Sequence, residues 1–216
     1  MFGKLIDKFK KPEAKPQTPE IMGLRLGASF EIDPLAIRFI LDELTIESFE
    51  PTQIIKAAGV VDLDGTWVYR FYTDDDAWLQ VVAEGGQRDE HVVDVKLFHF
   101  YDTRDVSTDA AWESLLGREI GAGTYALDGR TYQRVWTATG DYHNPVHMTE
   151  TTYDEDGEHS GTDQFTMLFE RPLTDERTES LFLSAEEKLE AGGYLSRCLV
   201  LSTGISLTPS QITIHG

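Results

Sequence analysis

The sequence predicts an α+β fold, mainly antiparallel β-sheet meanders with two or three short helices, preceded by an N-terminal amphipathic helix. Three observations predict it. Asp64-Gly65, Asp128-Gly129 and Asp156-Gly157 each lie between strand-like runs, the strongest short-range hairpin signal. From about residue 21 onward the pattern is mainly that of strands. Only two stretches of that region pair a capping residue with a helical apolar stripe.

The first element is an arm over residues 1–20. Phe2, Leu5, Ile6 and Phe9 recur at helical spacing, and Lys4, Lys8, Lys10 and Lys11 lie largely off that face. Pro12 is expected to stop the helix, with Pro16 and Pro19 making an extended linker. A single acidic domain is expected over 21–216. Asp33-Pro34 opens a predicted helix at 34–43, with Ile37, Ile40, Leu41 and Leu44 as its stripe. Residues 53–62 and 66–73 read as paired strands, and Asp74-Asp75-Asp76 turns the chain into a strand at 77–82. A further strand covers 92–101.

Ser107 or Thr108 caps a second predicted helix over 108–116, with Trp112 and Leu115 in its stripe and Gly117 as its stop. Hairpins then resume: 124–127 with 131–136, and 147–153 with 164–169. Residues 181–183 and 194–207 supply the last strands, separated by a Glu-rich turn.

Composition narrows the function classes. The 216 residues carry a formal charge of −19, which argues against non-specific binding to nucleic acid by phosphate neutralisation. Residues 1–16 hold five lysines against Asp7 and Glu13, a net +3, so the remainder carries −22. That split favours a cationic partner surface for the domain and a membrane or groove contact for the arm. One cysteine, Cys198, excludes an internal disulfide. No run approaches about 18 consecutive apolar residues, and the N-terminus lacks a signal-peptide core, so the expected location is cytoplasmic with peripheral contact at the inner membrane.

Asp62-Leu63-Asp64-Gly65-Thr66 after a hydrophobic run matches the nucleophile motif of a haloacid-dehalogenase-type phosphatase. In that chemistry one Asp attacks phosphorus and the other handles the leaving-group proton. The aromatic strand that follows, where a helix is needed, favours a hairpin turn. Asp74, Asp75 and Asp76 are candidates for a cation or a partner, against the plainer reading of a solvated turn. Asp154-Glu155-Asp156-Gly157-Glu158 has its Gly too early for a calcium loop. His143 and His147, with Asp141, could form a loop metal site, but Pro145 breaks the helix their spacing needs. The four tryptophans fit core packing. Arg70 and Arg134, mid-strand among aromatics, are each expected to pair with a buried carboxylate.

Several blocks resemble the bacterial YjfK-like family, whose function is unassigned. They include Gly23-Leu24-Arg25-Leu26-Gly27, residues 52–63, Arg70-Phe71-Tyr72-Thr73-Asp74-Asp75-Asp76-Ala77, Thr131-Tyr132-Gln133-Arg134-Val135-Trp136, and Thr149-Glu150-Thr151 with Tyr153-Asp154. The resemblance spans roughly 21–207 and leaves the arm outside. It implies a cytoplasmic protein with an envelope-associated, phage-shock-like role, since relatives are often encoded near membrane-remodelling and small membrane proteins. It supplies no catalytic residues.

The expectation is therefore a non-catalytic accessory protein with a protein partner, a membrane-remodelling or small membrane protein, and no cofactor or metal. Phe2, Lys4, Leu5, Ile6, Lys8, Phe9, Lys10 and Lys11 would make the membrane or partner contact. The alternatives are a metal-dependent phosphohydrolase using Asp62 and Asp64, and an acidic nucleic-acid mimic.

Overall fold

The computed structural model describes residues 18–46, 48–190 and 192–216. Among them are twelve strands: β1 (Ser29–Ile32), β2 (Thr52–Leu63), β3 (Thr66–Thr73), β4 (Ala77–Glu84), β5 (Val92–Asp105), β6 (Thr124–Leu127), β7 (Arg130–Arg134), β8 (Val146–Asp154), β9 (His159–Pro172), β10 (Thr178–Leu189), β11 (Leu195–Ser206) and β12 (Ile212–His215). Every pairing is antiparallel.

Eight strands close a barrel in the order β2-β3-β4-β5-β11-β10-β9-β8, with β8 returning to β2. The architecture is thus an antiparallel β-barrel, and the predicted α+β class with several helices is overturned. Among the described residues helix is confined to α1 (Pro34–Ile37), α2 (Asp109–Ser114), a π turn at Leu115–Glu119 and a few single 3-10 turns. The N-terminal amphipathic helix lies outside the described residues.

Physical reasons for the discrepancy are local. Asp33 does cap α1, accepting from the Leu35 amide at 2.9 Å, but the helix ends after one turn. Ile37, Ile40 and Leu44 bury as the stripe predicts, though through a bent chain with a 3-10 turn at Leu41–Glu43. A short helix gains little from its own hydrogen bonds, so packing decides the backbone. Thr108 caps α2 through the Ala111 amide, and Trp112 and Leu115 are buried. Gly117 does not stop it; the chain widens into the π turn that contains it. The Glu-rich stretch near 186–190 is mostly strand, because Glu186 and Glu187 continue the β10 ladder against β11 and β9.

Closure rests on β2. A bulge between Ile55 and Ala57 lets its start pair with β1 while its later half pairs with β3 on one side and β8 on the other. The hairpins themselves form where the sequence places them. Asp64 and Gly65 (φ 51° and 95°) and Asp128 and Gly129 (φ 48° and 72°) take the left-handed values of type I′ turns.

The barrel wall is covered outside as well as filled inside. Leu24, Phe30, Ile32, Ile37 and Ile40 pack on outward-facing Ile55, Phe71, Leu79 and Leu97. Around the other side, Trp112, Leu115, Ile120 and Tyr132 pack on Met167, Phe169, Leu181 and Leu183. Strands buried on both faces lose the clean apolar–polar alternation of a half-exposed sheet.

Candidate binding site in the barrel lumen

Alternate residues of the eight strands point inward, and registers carry one layer across neighbouring strands. Arg70 opposes Gln80, Gln80 opposes Lys96, and Lys96 opposes Ser206. Leu168 opposes Phe182, and Met148 opposes Gln164. The result is a lumen with an aromatic layer, a charged layer and an apolar mouth.

Arg70 is 2% exposed and reaches across the barrel. Its Nη1 donates to Glu150 Oε2 at 2.7 Å and to Gln164 Oε1 at 2.6 Å, and its Nη2 donates to the Met148 sulfur at 3.4 Å. The guanidinium carbon lies 5.0 Å from the Trp78 ring centre and 5.2 Å from that of Phe182, a cation–π setting. Glu150, 1% exposed, also accepts from Tyr72 Oη at 2.8 Å and from Gln164 Nε2 at 3.0 Å. Room for that carboxylate comes from β2: a Cβ on Gly59 would stand 1.8 Å from Glu150 Oε1. Glycine inside a strand often marks such a close approach.

Burial pulls the Arg70 guanidinium down, but the charges and hydrogen bonds of Glu150 and Tyr72 together outweigh it and hold the group above its ordinary value. Burial, reinforced by Glu150, lifts the Tyr72 hydroxyl well above its usual range. Glu186, which accepts from Gln164 at 3.2 Å, is raised by burial, with the Glu150 charge pushing the same way. A second pair stands beside this one: Lys96 Nζ donates to Ser206 Oγ at 2.6 Å and to Glu170 Oε1 at 3.4 Å.

Above this layer, toward the β2–β3 hairpin, the lumen is open. A cavity of about 210 Å³ is lined by Leu63, Val68, Val82, Val146, Met148 and Leu168, with Trp136 closing in from the segment after β7. Arg70, Gln80, Lys96 and Phe182 form its floor and Asp94 stands in its wall. An eight-stranded barrel has just the interior to be filled by side chains or to hold one small ligand.

A different buried carboxylate fastens the coat. Glu179, on β10 but outside the lumen, accepts from Arg171 Nε at 2.8 Å, Tyr132 Oη at 2.7 Å, the Thr45 amide at 2.6 Å and Thr45 Oγ1 at 3.1 Å.

The residues singled out by sequence fall elsewhere. Asp62 is exposed on the barrel exterior opposite Trp67, and Asp64 is the first turn residue of the β2–β3 hairpin. Asp74 Oδ1 accepts from the Ile54 amide at 2.9 Å, and Asp75 Oδ2 accepts from Gln53 Nε2 at 2.7 Å and the Glu50 amide at 2.8 Å. Those two aspartates brace the β3–β4 turn against the start of β2; Asp76 takes the left-handed position, φ 46°. Phe2, Lys4, Leu5, Ile6, Lys8, Phe9, Lys10 and Lys11 lie outside the described residues.

His143 and His147 are not brought together: His147 lies 3.2 Å from Asp163, and His143 bonds the Asn144 carbonyl. Among the described residues no three His, Cys, Asp or Glu side chains gather as metal ligands, and no helix is long and apolar enough to cross a membrane. Cys198 is half-buried, and burial pushes its thiol up to about 11.

Of the two arginines expected to find buried carboxylates, Arg70 does so. Arg134 instead donates to the backbone carbonyls of Trp136 and Gly121. Sequence reasoning missed Glu150, Gln164, Tyr72 and Lys96 as one constellation. Gly59, alone in an apolar strand run, was the available signal for the first of them.

Comparison with known proteins gives a family. The model of a family described as "Protein of unknown function (DUF2491)" matches residues 1–213. The arm therefore lies inside the match, and not outside it as the resemblance over 21–207 implied. The uncharacterized protein YjfK of Escherichia coli (strain K12) is 28% identical over 218 residues, covering 100% of this chain and 98% of that protein. No solved structure matches.

Proposed function

Because the chain belongs to the DUF2491 family of proteins of unknown function, its activity has to be read from its own geometry, and we propose a non-catalytic binding protein whose barrel lumen takes a small apolar molecule. The cavity between Val68, Val82, Val146 and Leu168 is the observation that carries this reading. Apart from Asp94 its walls are apolar, and its floor is a polar layer whose two cations already have carboxylate partners. Convergent apolar walls with a few placed polar groups are what ligand sites share. Arg70 is pinned by four acceptors and packed against two neighbouring aromatic rings, which suits a fixed floor better than a proton-transfer group.

The test is titration of the full chain with 1-heptanol, read in the methyl resonances of Val68, Val82, Val146 and Leu168. Saturable shifts confined to these residues are expected, and Val82→Phe, which fills the space, should remove them. Val146→Phe serves the same purpose from another strand. Shifts that never saturate, or that scatter over the surface, would sink the reading.

A second contact is proposed on charge alone. The total of −19, with +3 concentrated in residues 1–16, favours a protein partner with a cationic face in an envelope-associated assembly, the arm adding a membrane or partner contact. Capture of that partner should weaken steeply between low and high salt and on removal of residues 1–16; capture indifferent to both would count against it.

A further inference from the structure

If the lumen is a ligand site, as proposed above, its size and its unused polar groups narrow the ligand class. At about 210 Å³ the cavity falls below the roughly 300–1,000 Å³ of sites for drug-sized ligands, so one short chain fits and a two-tailed lipid does not.

The floor offers donors. A guanidinium has five N–H groups. Those of Arg70 reach Gln80, Glu150, Gln164 and the Met148 sulfur, with Tyr72 as a further partner, so what Arg70 offers a ligand is the Nη2 bond now made to the sulfur. The bond to Met148 is itself to a weak acceptor. Lys96 has three N–H groups, of which two reach Glu170 and Ser206. Both residues line the same cavity.

Its charge is already set. Arg70 is neutralised by Glu150 and Lys96 by Glu170. Asp94, in the same wall, has no ion pair or hydrogen bond among the described residues, so the groups around the cavity sum to a negative charge. A carboxylate entering would add a second negative charge beside Asp94 in a poorly hydrated space. An ammonium head would answer Asp94 in the wall, but seated on the floor it would bring donors to donors and a positive charge beside Arg70 and Lys96. A carbonyl oxygen accepts from the floor and carries no net charge.

We propose that the lumen selects a single short acyl chain with a neutral carbonyl head, of the amide or ester class, and disfavours the matching carboxylate and amine. In this pose the carbonyl oxygen accepts from Arg70 Nη2 and Lys96 Nζ while the chain lies among Val68, Val82, Val146 and Leu168. Asp94 acts as the group that excludes acids.

The experiment is a calorimetric titration of the full chain at pH 7 with octanamide, octanoate and octylammonium at matched ionic strength, repeated on Asp94→Asn and Val82→Phe. Octanamide should bind at least about tenfold more tightly than either charged molecule, given the strength of hydrogen bonds from charged donors. Asp94→Asn should bring octanoate closer to octanamide by strengthening octanoate binding. Val82→Phe should abolish all binding with a melting temperature no lower than that of the parent chain.

If octanoate or octylammonium binds best, or Asp94→Asn leaves the gap between octanoate and octanamide unchanged, the head-group inference falls while the lumen reading stands. If none of the three binds to the parent chain, or if Val82→Phe binds as the parent does, both fall.

Discussion

The two buried carboxylates, Glu150 and Glu179, are each 1% exposed and each meet an arginine and a tyrosine hydroxyl, yet they hold different things together. Every partner of Glu150 belongs to a barrel strand: Arg70 and Tyr72 on β3, and Gln164 on β9. Glu179 sits on the outer wall, and half of its hydrogen bonds come from Thr45 in the coat segment. The Glu150 cluster also lies under the cavity, where its partner Arg70 forms part of the floor. Similar chemistry thus closes the lumen in one place and fastens a cover in the other. What differs is the element that would move if the carboxylate were lost.

Removing Glu150 is expected to do the most damage. Glu150→Ala strands Arg70 in the lumen at 2% exposure, and breaking a buried pair from one side costs about 3–5 kcal/mol. Urea unfolding should show a lower midpoint for the whole barrel, with all strands lost together. Gly59→Ala should approach the same loss by another route, since its methyl would need the space of Glu150 Oε1. A stable Gly59→Ala would show that the carboxylate can swing aside, and would separate barrel closure from this one contact.

Glu179→Ala comes next. Arg171 is 12% exposed and can recover water, so the expected cost is nearer about 2 kcal/mol. The readout that sharpens the comparison is hydrogen exchange. Amides around 40–46 and in β6–β7 should lose protection while those of β3 and β8 keep theirs. Uniform loss would mean that coat and barrel are one cooperative unit.

Hairpins, caps and apolar stripes were legible because each is written in a few adjacent residues, as Asp64-Gly65 and Asp33-Pro34 are. Barrel closure was not. It depends on β8 meeting β2, with Gly59 opposite Thr152, and no local pattern announces a pairing so distant in the chain. The coat hid the answer further. With Phe71 and Leu79 buried outside and Val68 and Val82 facing the lumen, the strands look uniformly apolar and give no inside–outside rule. Helix was over-read for the same reason, since Ile37, Ile40 and Leu44 obey a helical spacing that a bent chain also satisfies. Of the lumen site, Arg70 was visible as an arginine among aromatics; its partners come from β8 and β9, far along the sequence.

Smaller effects belong to the exterior. Asp64→Val places a β-branched residue at φ 51° and should cost about 1–2 kcal/mol through backbone strain. Asp62→Asn, on the exposed face opposite Trp67, should leave thermal stability within about 0.5 kcal/mol. Magnesium-dependent phosphatase activity lost in Asp62→Asn would instead revive the phosphohydrolase reading.

The finest test of coat against barrel uses acid. His99 is 7% exposed on the outer wall, where it shares a small cavity with Leu44, Ile46, Glu179 and Thr203, at the seam between coat and barrel. Burial lowers its pKa from 6.5, against an opposing pull from Asp75 at 3.8 Å, and neither ring nitrogen has a hydrogen-bond partner among the described residues. The folded protein therefore keeps His99 neutral where the unfolded chain takes up a proton. Stability from this group is full above about pH 6.5 and declines as pH falls from there toward the lower folded-state value. Because His99 lies at the seam, exchange at 40–46 should quicken over that interval before exchange in β3 and β8 does, and His99→Gln should flatten the response. If β3 and β8 loosen first, the lumen charges, and not the seam, are what acid attacks.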